Sequence, residues 1–151
     1  MSTNSNQIAA LNNLITTLYD GENGYKEAAE EVDSAALATR FRQLAQQRYD
    51  FGHEIKPLIK NLGGEVDKGG SVAATLHRVW MDLKTAVSGN DEAAILNECI
   101  RGEESAVEVY EEVLKDNTFS GQARETVAAQ LKKINGSLVE MRKKADAHSV
   151  S

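Results

Sequence analysis

The sequence predicts an all-α chain folded as a helical bundle, and three observations predict it. Apolar residues recur at spacings of three and four over long stretches, the period of one helix face. No segment alternates with period two for long enough to form a strand. The 151 residues include one proline and only 5% aromatics, with Ala, Glu, Leu and Lys abundant, which favours helix over sheet. At this length, with 41% apolar and 26% charged residues, the chain has the makings of one domain with one core.

The first helix is expected from about Asn6 to Val32, on a stripe of Leu11, Leu14, Ile15, Leu18, Tyr25, Ala29 and Val32. Asp33 and Ser34 then supply stop-and-cap chemistry. The second helix is expected from about Ser34 to Leu62, with Leu37, Phe41, Leu44, Phe51, Ile55, Leu58 and Leu62 on one side. Pro57 lies inside that pattern and predicts a kink or a break, and Gly63-Gly64 ends the helix. A glycine-bearing linker, 65–70, leads to a shorter helix capped by Ser71 and running to about Val87, with Leu76, Val79, Trp80 and Leu83 on one side. Ser88 to Asp91 form a turn and a new cap. The next helix, to about Lys115, presents Ile95, Leu96, Cys99, Ile100, Val107, Tyr110 and Val113. After a loop from Asp116 to Gly121, the last helix runs to about Ala145 on Val127, Leu131, Ile134, Leu138 and Met141. Residues 1–6 read as a disordered polar arm and 146–151 as a flexible tail, on either side of a single domain over 7–145.

A net charge of −6 argues against a nucleic-acid partner, which needs a basic face to displace counterions. The longest uncharged stretch, Met1 to Tyr19, is broken by Asn, Ser, Thr and Gln and has no basic region before it, so neither a membrane span nor a signal peptide is expected. The single cysteine, Cys99, makes no internal disulfide, which points to a reducing compartment, with the cytoplasm as the default expectation.

Two glutamates stand out by position. Glu22 falls on the apolar stripe between Leu18 and Tyr25, and Glu103 falls likewise between Cys99 and Tyr110. A carboxylate in a helix core is costly unless it is paired, hydrogen-bonded or metal-bound. Each follows a glycine, Gly21 or Gly102, which within a helix costs up to about 1 kcal/mol against alanine and calls for compensation such as a close helix approach. The two segments also repeat at an offset of 81 residues: Glu27 matches Glu108, Glu30-Glu31-Val32 matches Glu111-Glu112-Val113, and Ile15 and Leu18 fall on Leu96 and Cys99. Two related hairpins, their first helices facing each other about a pseudo-twofold axis, would give this pattern.

A bundle with a long crossover and an inward glutamate on its first and third helices resembles the ferritin-like superfamily. Within it, the runs from Asp20 to Tyr25 with Ala28-Ala29, from His77 to Lys84, and from Arg101 to Glu104 are similar to a bacterial family of small ferritin-like proteins known only as a domain of unknown function. The resemblance spans about Gln7 to Lys143. It implies a ferritin-like four-helix bundle with an additional short helix in the long crossover between the second and third bundle helices. It implies no activity. The superfamily's metal motif carries over to Glu22 and Glu103 as the single glutamates of the first and third helices. The second and fourth helices should each add Glu-x-x-His, yet Arg48 and Phe51 fall there on the second, and Ile134 and Leu138, with Asn135 and Ser137 nearby, on the fourth. A dinuclear site needs several anionic oxygens and imidazoles to offset the metals' charge, and two glutamates are too few.

Two readings of the cluster follow. In the favoured one, Glu22 and Glu103 both face Arg48, whose forked donors suit carboxylates, and the hydroxyls of Tyr25 and Tyr110 supply hydrogen bonds. The protein is then non-enzymatic, with no cofactor, and acts as a stress-associated or protein-binding module. In the alternative, Glu22 and Glu103 are the remnant of an iron or manganese site completed by water, Gln47 or Asp50, with ferroxidase-like or peroxide-scavenging activity. A homodimer, or another protein partner, is compatible with either.

The remaining candidates read as structural. His53-Glu54 is no zinc-protease signature, because Pro57 stands where the second histidine belongs. His53 and His148 are expected in solvent and His77 at a helix surface or crossover contact. Cys99 is expected as an inert core thiol. Trp80 is expected to cover the core, with a protein-contact anchor as the other reading. The glycines from Gly63 to Gly70 lack the lysine and strand-to-helix setting of a phosphate loop. The run Glu103-Glu104, Glu108 and Glu111-Glu112 is expected on a mostly solvated face.

Overall fold

The computed structural model describes residues 2–66 and 91–150, with side chains over 5–66 and 91–147. It contains four α-helices: α1 (Ser2–Glu31), α2 (Ala35–Asn61), α3 (Glu92–Leu114) and α4 (Gly121–Val150), and no strand among the described residues. The expected short helix after Ser71, with His77 and Trp80, lies outside the described residues, as does the side chain of His148.

Local chemistry sets most of the boundaries. Ser34 caps α2 by accepting from the Leu37 N–H at 3.2 Å, and Asp91 caps α3 by accepting from the Ala94 N–H at 3.3 Å. α2 ends in a Schellman motif. Gly63 takes φ 81°, its N–H donates to the Lys60 carbonyl, and the Gly64 N–H donates to the Ile59 carbonyl. The carbonyls at the end of α3 are held by Arg124, whose guanidinium donates to Leu114, Asp116 and Phe119.

Three boundary expectations are corrected. Pro57 does not break α2, which continues to Asn61, because the proline is exposed and its missing hydrogen bond falls on the solvated side. α1 begins at Ser2 rather than Asn6, and α4 continues past Ala145 to Val150. No proline or glycine interrupts either extension, and adding residues to an existing helix is far easier than nucleating one.

α1 packs on α2 and on α3, and α4 packs on α3 and on α2, so the bundle's diagonals are α1/α4 and α2/α3. Two apolar clusters fix the directions. One joins the N-terminal half of α1 (Leu11, Leu14, Leu18), the C-terminal half of α2 (Phe51, Ile55, Ile59), the C-terminal half of α3 (Ala106, Tyr110, Val113) and the start of α4 (Val127, Ile134). The other joins Tyr25, Ala28 and Val32 to Phe41 and Leu44, to Ile95 and Cys99, and to Met141. The order is therefore up-down-down-up, with α2 and α3 parallel. The chain leaves α2 at one end of the bundle and enters α3 at the other.

The end where α2 finishes is tightly closed. Asn12 of α1 donates to the Glu65 carbonyl at 3.0 Å, and Gly64 lies directly against Ile8. A Cβ on Gly64 would sit 2.7 Å from both Cδ1 and Cγ2 of Ile8. Gly64→Ala should therefore overpack this end and cost about 1–3 kcal/mol, read as a fall in Tm of a few degrees by calorimetry. Gly64→Ala combined with Ile8→Ala should cost less than the two single changes added together, and strict additivity would refute the contact.

Candidate functional site

Between the two apolar clusters the bundle carries one buried polar layer, and its centre is an ion pair across the α2/α3 diagonal. Arg48 falls between Ala45 and Phe51 on the buried face of α2, and Glu103 between Cys99 and Ala106 on that of α3. Their side chains are 1% and 0% exposed. The contact is bidentate: Arg48 Nη1 donates to Glu103 Oε1 at 2.5 Å and Nη2 to Oε2 at 2.8 Å. The third guanidinium edge is also used, with Nε donating to Gln47 Oε1 at 3.2 Å.

The walls of this layer suit a cation. The Tyr25 ring centroid lies 5.5 Å from Arg48 Cζ, and Tyr25 in turn packs on Phe41. Gly21 faces the arginine: a Cβ there would lie in ordinary contact with it, 3.5 Å from Arg48 Cγ and 3.6 Å from Nη1, so the position has room for a methyl group but a longer side chain would meet Arg48.

The electrostatics leave the layer chemically quiet. Burial works against the Arg48 charge, but the charge and hydrogen bonds of Glu103 outweigh it and hold the guanidinium above its ordinary value. Burial, then the charge of Glu103, pushes the Tyr25 phenol well above the usual range. Burial and then Glu103 and Glu98 do the same to the Cys99 thiol. Burial likewise raises Tyr110. Near neutral pH these three groups stay protonated and the arginine stays charged, so none of them is poised to transfer a proton.

The structure brings together only part of the expected cluster. Glu22 does not reach Arg48. Its side chain, 15% exposed, accepts from Lys26 Nζ at 2.7 Å on the outer side of α1. The sequence repeat explains the divergence: Lys26 stands one turn beyond Glu22, whereas Val107 stands one turn beyond Glu103. A local cation draws one carboxylate outward, and without one the other reaches across the core. Tyr110 also turns elsewhere, its hydroxyl donating to Gln130 Oε1 at 2.7 Å. Asp50 accepts from Gln46 on the surface, Ser137 donates to the Lys133 carbonyl of its own helix, and Asn135 and His53 are exposed.

Gln130, 1% exposed, is the residue sequence reasoning missed. Its amide nitrogen donates to the Phe51 carbonyl at 3.2 Å and to Glu54 Oε1 at 2.9 Å while its oxygen receives Tyr110, so it ties α4 to both α2 and α3. The signal was available, since Gln130 interrupts the apolar stripe between Val127 and Ile134 just as Glu103 interrupts that of α3.

The donor set does not suit a dinuclear metal centre. Both oxygens of Glu103 are engaged by a cation, Glu22 is paired with another, and no three His, Cys, Asp or Glu side chains among the described residues are grouped as ligands. No helix of the described residues is long and apolar enough to cross a membrane.

Residues 6–116, most of the chain, match the family model described as a domain of unknown function (DUF2383), and the chain belongs to that family. No curated protein matches it.

Removing one member of the ion pair should strand the other in the core. Arg48→Met should lower the unfolding free energy by about 3–5 kcal/mol, measured by urea denaturation. Arg48→Met with Glu103→Leu should recover most of that loss, because neither charge is then buried alone. Two single losses that simply add would rule out the coupling.

Proposed function

For this member of a family of unknown function, we propose a ferritin-like bundle that works without a metal centre: a non-enzymatic helical scaffold that acts through its surface. The observation that carries the reading is the bidentate Arg48–Glu103 pair. Glu103 stands where the third helix of a di-iron carboxylate bundle offers a ligand, and a guanidinium lies against it in place of a cationic metal. One fixed positive charge meets the electrostatic need of the buried carboxylate, and it brings no open coordination position and no redox chemistry.

Two further features support the ferritin-like part of the reading. The up-down-down-up order, with α2 and α3 parallel, requires a connection that spans the bundle length, as in bundles with one long crossover. The Gly-Glu repeat lies in the C-terminal half of α1 and mid-way along α3, beside the polar layer. The surface part rests on the engaged interior: the buried charges of Arg48 and Glu103 meet each other and Gln130 is bonded to Tyr110, Phe51 and Glu54, while clefts of about 460 and 420 Å³ open on the outside, between α1 and α2 and between α1 and α3.

Elemental analysis of untagged protein from cells grown with added iron and manganese provides the test. Metal well below one equivalent per chain is expected. Retention of about two equivalents of either metal, the content of a dinuclear site, lost in both Glu22→Ala and Glu103→Ala variants that keep their helicity, would overturn this reading in favour of a metal carboxylate protein.

A further inference from the structure

The two outer clefts differ in the charges that line them, and the difference points to an occupant. The cleft between α1 and α3 has acidic Glu108, Glu112 and Asp116 along its rim and no basic lining residue. The cleft between α1 and α2 is lined by Glu22, Lys26, Glu30 and Arg42, two acids and two bases, with Gln46 and Tyr49. The chain as a whole carries −6, so two copies repel unless the faces they share are locally neutral or complementary. Of these two clefts, the one between α1 and α2 meets that condition by itself.

The same face carries an unusual share of exposed aromatic surface. Tyr19, Tyr49 and Val139 are the exposed large hydrophobic side chains among the described residues, at 45%, 48% and 49%. Tyr49 lines the cleft, and Tyr19 stands on α1 seven residues, two helical turns, before Lys26 and so on the same side of that helix. Tyr49 also holds the His53 ring edge-on at 4.5 Å, extending the aromatic surface along α2. Tyrosine, with a large rigid face and a polar tip, is a residue type enriched at protein interfaces.

From this combination we infer that the α1/α2 face is a self-association surface whose occupant is a second copy of the chain, related by a twofold axis. In such an isologous contact residue i meets residue j and j meets i. Glu22 and Lys26, opposite charges one helical turn apart, are suited to it: a dyad passing between them sets each against its counterpart in the other copy. The tyrosines would form the desolvated centre and the charged pairs the rim. This inference rests on the reading of the molecule as a scaffold acting through its surface, but it has its own readout. A metal-free monomer would refute the pairing and leave the account of the interior standing.

Sedimentation velocity on the full chain tests it. A species of twice the 16.5 kDa chain mass is expected at micromolar concentrations. Tyr19→Glu/Tyr49→Glu should sediment as a monomer with unchanged Tm, since both residues are exposed. Lys26→Glu should raise the dissociation constant about tenfold or more, equivalent to losing one well-placed contact. Glu22→Lys/Lys26→Glu, which reverses both charges, should restore association. Val139→Glu, on the exposed side of α4, serves as the control and should leave the dimer intact. A wild-type chain that stays monomeric, a dimer that survives the double tyrosine change, or one dissociated by Val139→Glu would each overturn the inference. So would larger species abolished by Glu108→Lys/Glu112→Lys, which would move the contact to the acidic cleft.

Discussion

A guanidinium and a carboxylate meet in the dry centre of this bundle, and the arrangement of the four helices depends on their meeting. Taking either ion out of water costs several kcal/mol even after relaxation, and only close bidentate geometry offsets that cost. Arg48 and Glu103 achieve it across the α2/α3 diagonal, at a level where Gly21 faces the arginine stem and Tyr25 its charge. The apolar clusters above and below are more permissive, because hydrophobic contact is non-directional. A slip of one turn, about 5.4 Å, would exchange one aliphatic neighbour for another in the clusters but would leave both ions unpaired. The ion pair therefore acts on register: it ties the height of α2 to that of α3, two parallel helices on a diagonal of the bundle.

The same logic explains why a repeated sequence yields two different environments. The Gly-Glu motif occurs in α1 and α3 at equivalent positions, and in both the glutamate could point inward. Arg48 has a limited set of donors. Nη1 and Nη2 are taken by Glu103 and Nε by Gln47, which leaves no comparable bidentate site for a second carboxylate. Lys26, one turn from Glu22, offers an alternative that keeps both partners near water and avoids most of the desolvation cost. The two copies of the motif thus resolve into one inward acid and one outward acid.

Much of this was legible in the residues. The apolar stripes located the helices, Ser34 and Asp91 marked true caps, and Gly63 marked a true stop, because each of these signals acts over a few residues. Arg48 and Glu103 were legible for a different reason: a charge in the middle of an apolar stripe has to be compensated, and the opposite charge was on the facing stripe. The fate of Glu22 was harder to read, since its partner was a choice between a distant arginine and a neighbouring lysine of similar attraction. Gln130 escaped because an uncharged amide in a stripe signals a smaller burial penalty than a carboxylate, although its three hydrogen bonds join three helices. Pro57 lies within a helix that continues to Asn61, so the break was not made there. Whether a proline breaks a helix depends on which side its missing donor faces, and that is set by packing.

The quiet interior has a consequence for where chemistry can occur. Tyr25 and Cys99 lie beside a buried carboxylate and keep their protons, so their environment works against a phenolate or a thiolate. The charges that do exist inside cancel one another at contact distance, leaving little field to attract a substrate through the helices. At the surface the situation is reversed: one cleft has a single sign of charge and the other has both, and two tyrosines remain half in water beside the second. Directional, discriminating interactions are available there and are already consumed in the core. The buried charges hold the frame, and the charges and aromatic rings left in contact with water lie on the outward faces of α1, α2 and α3.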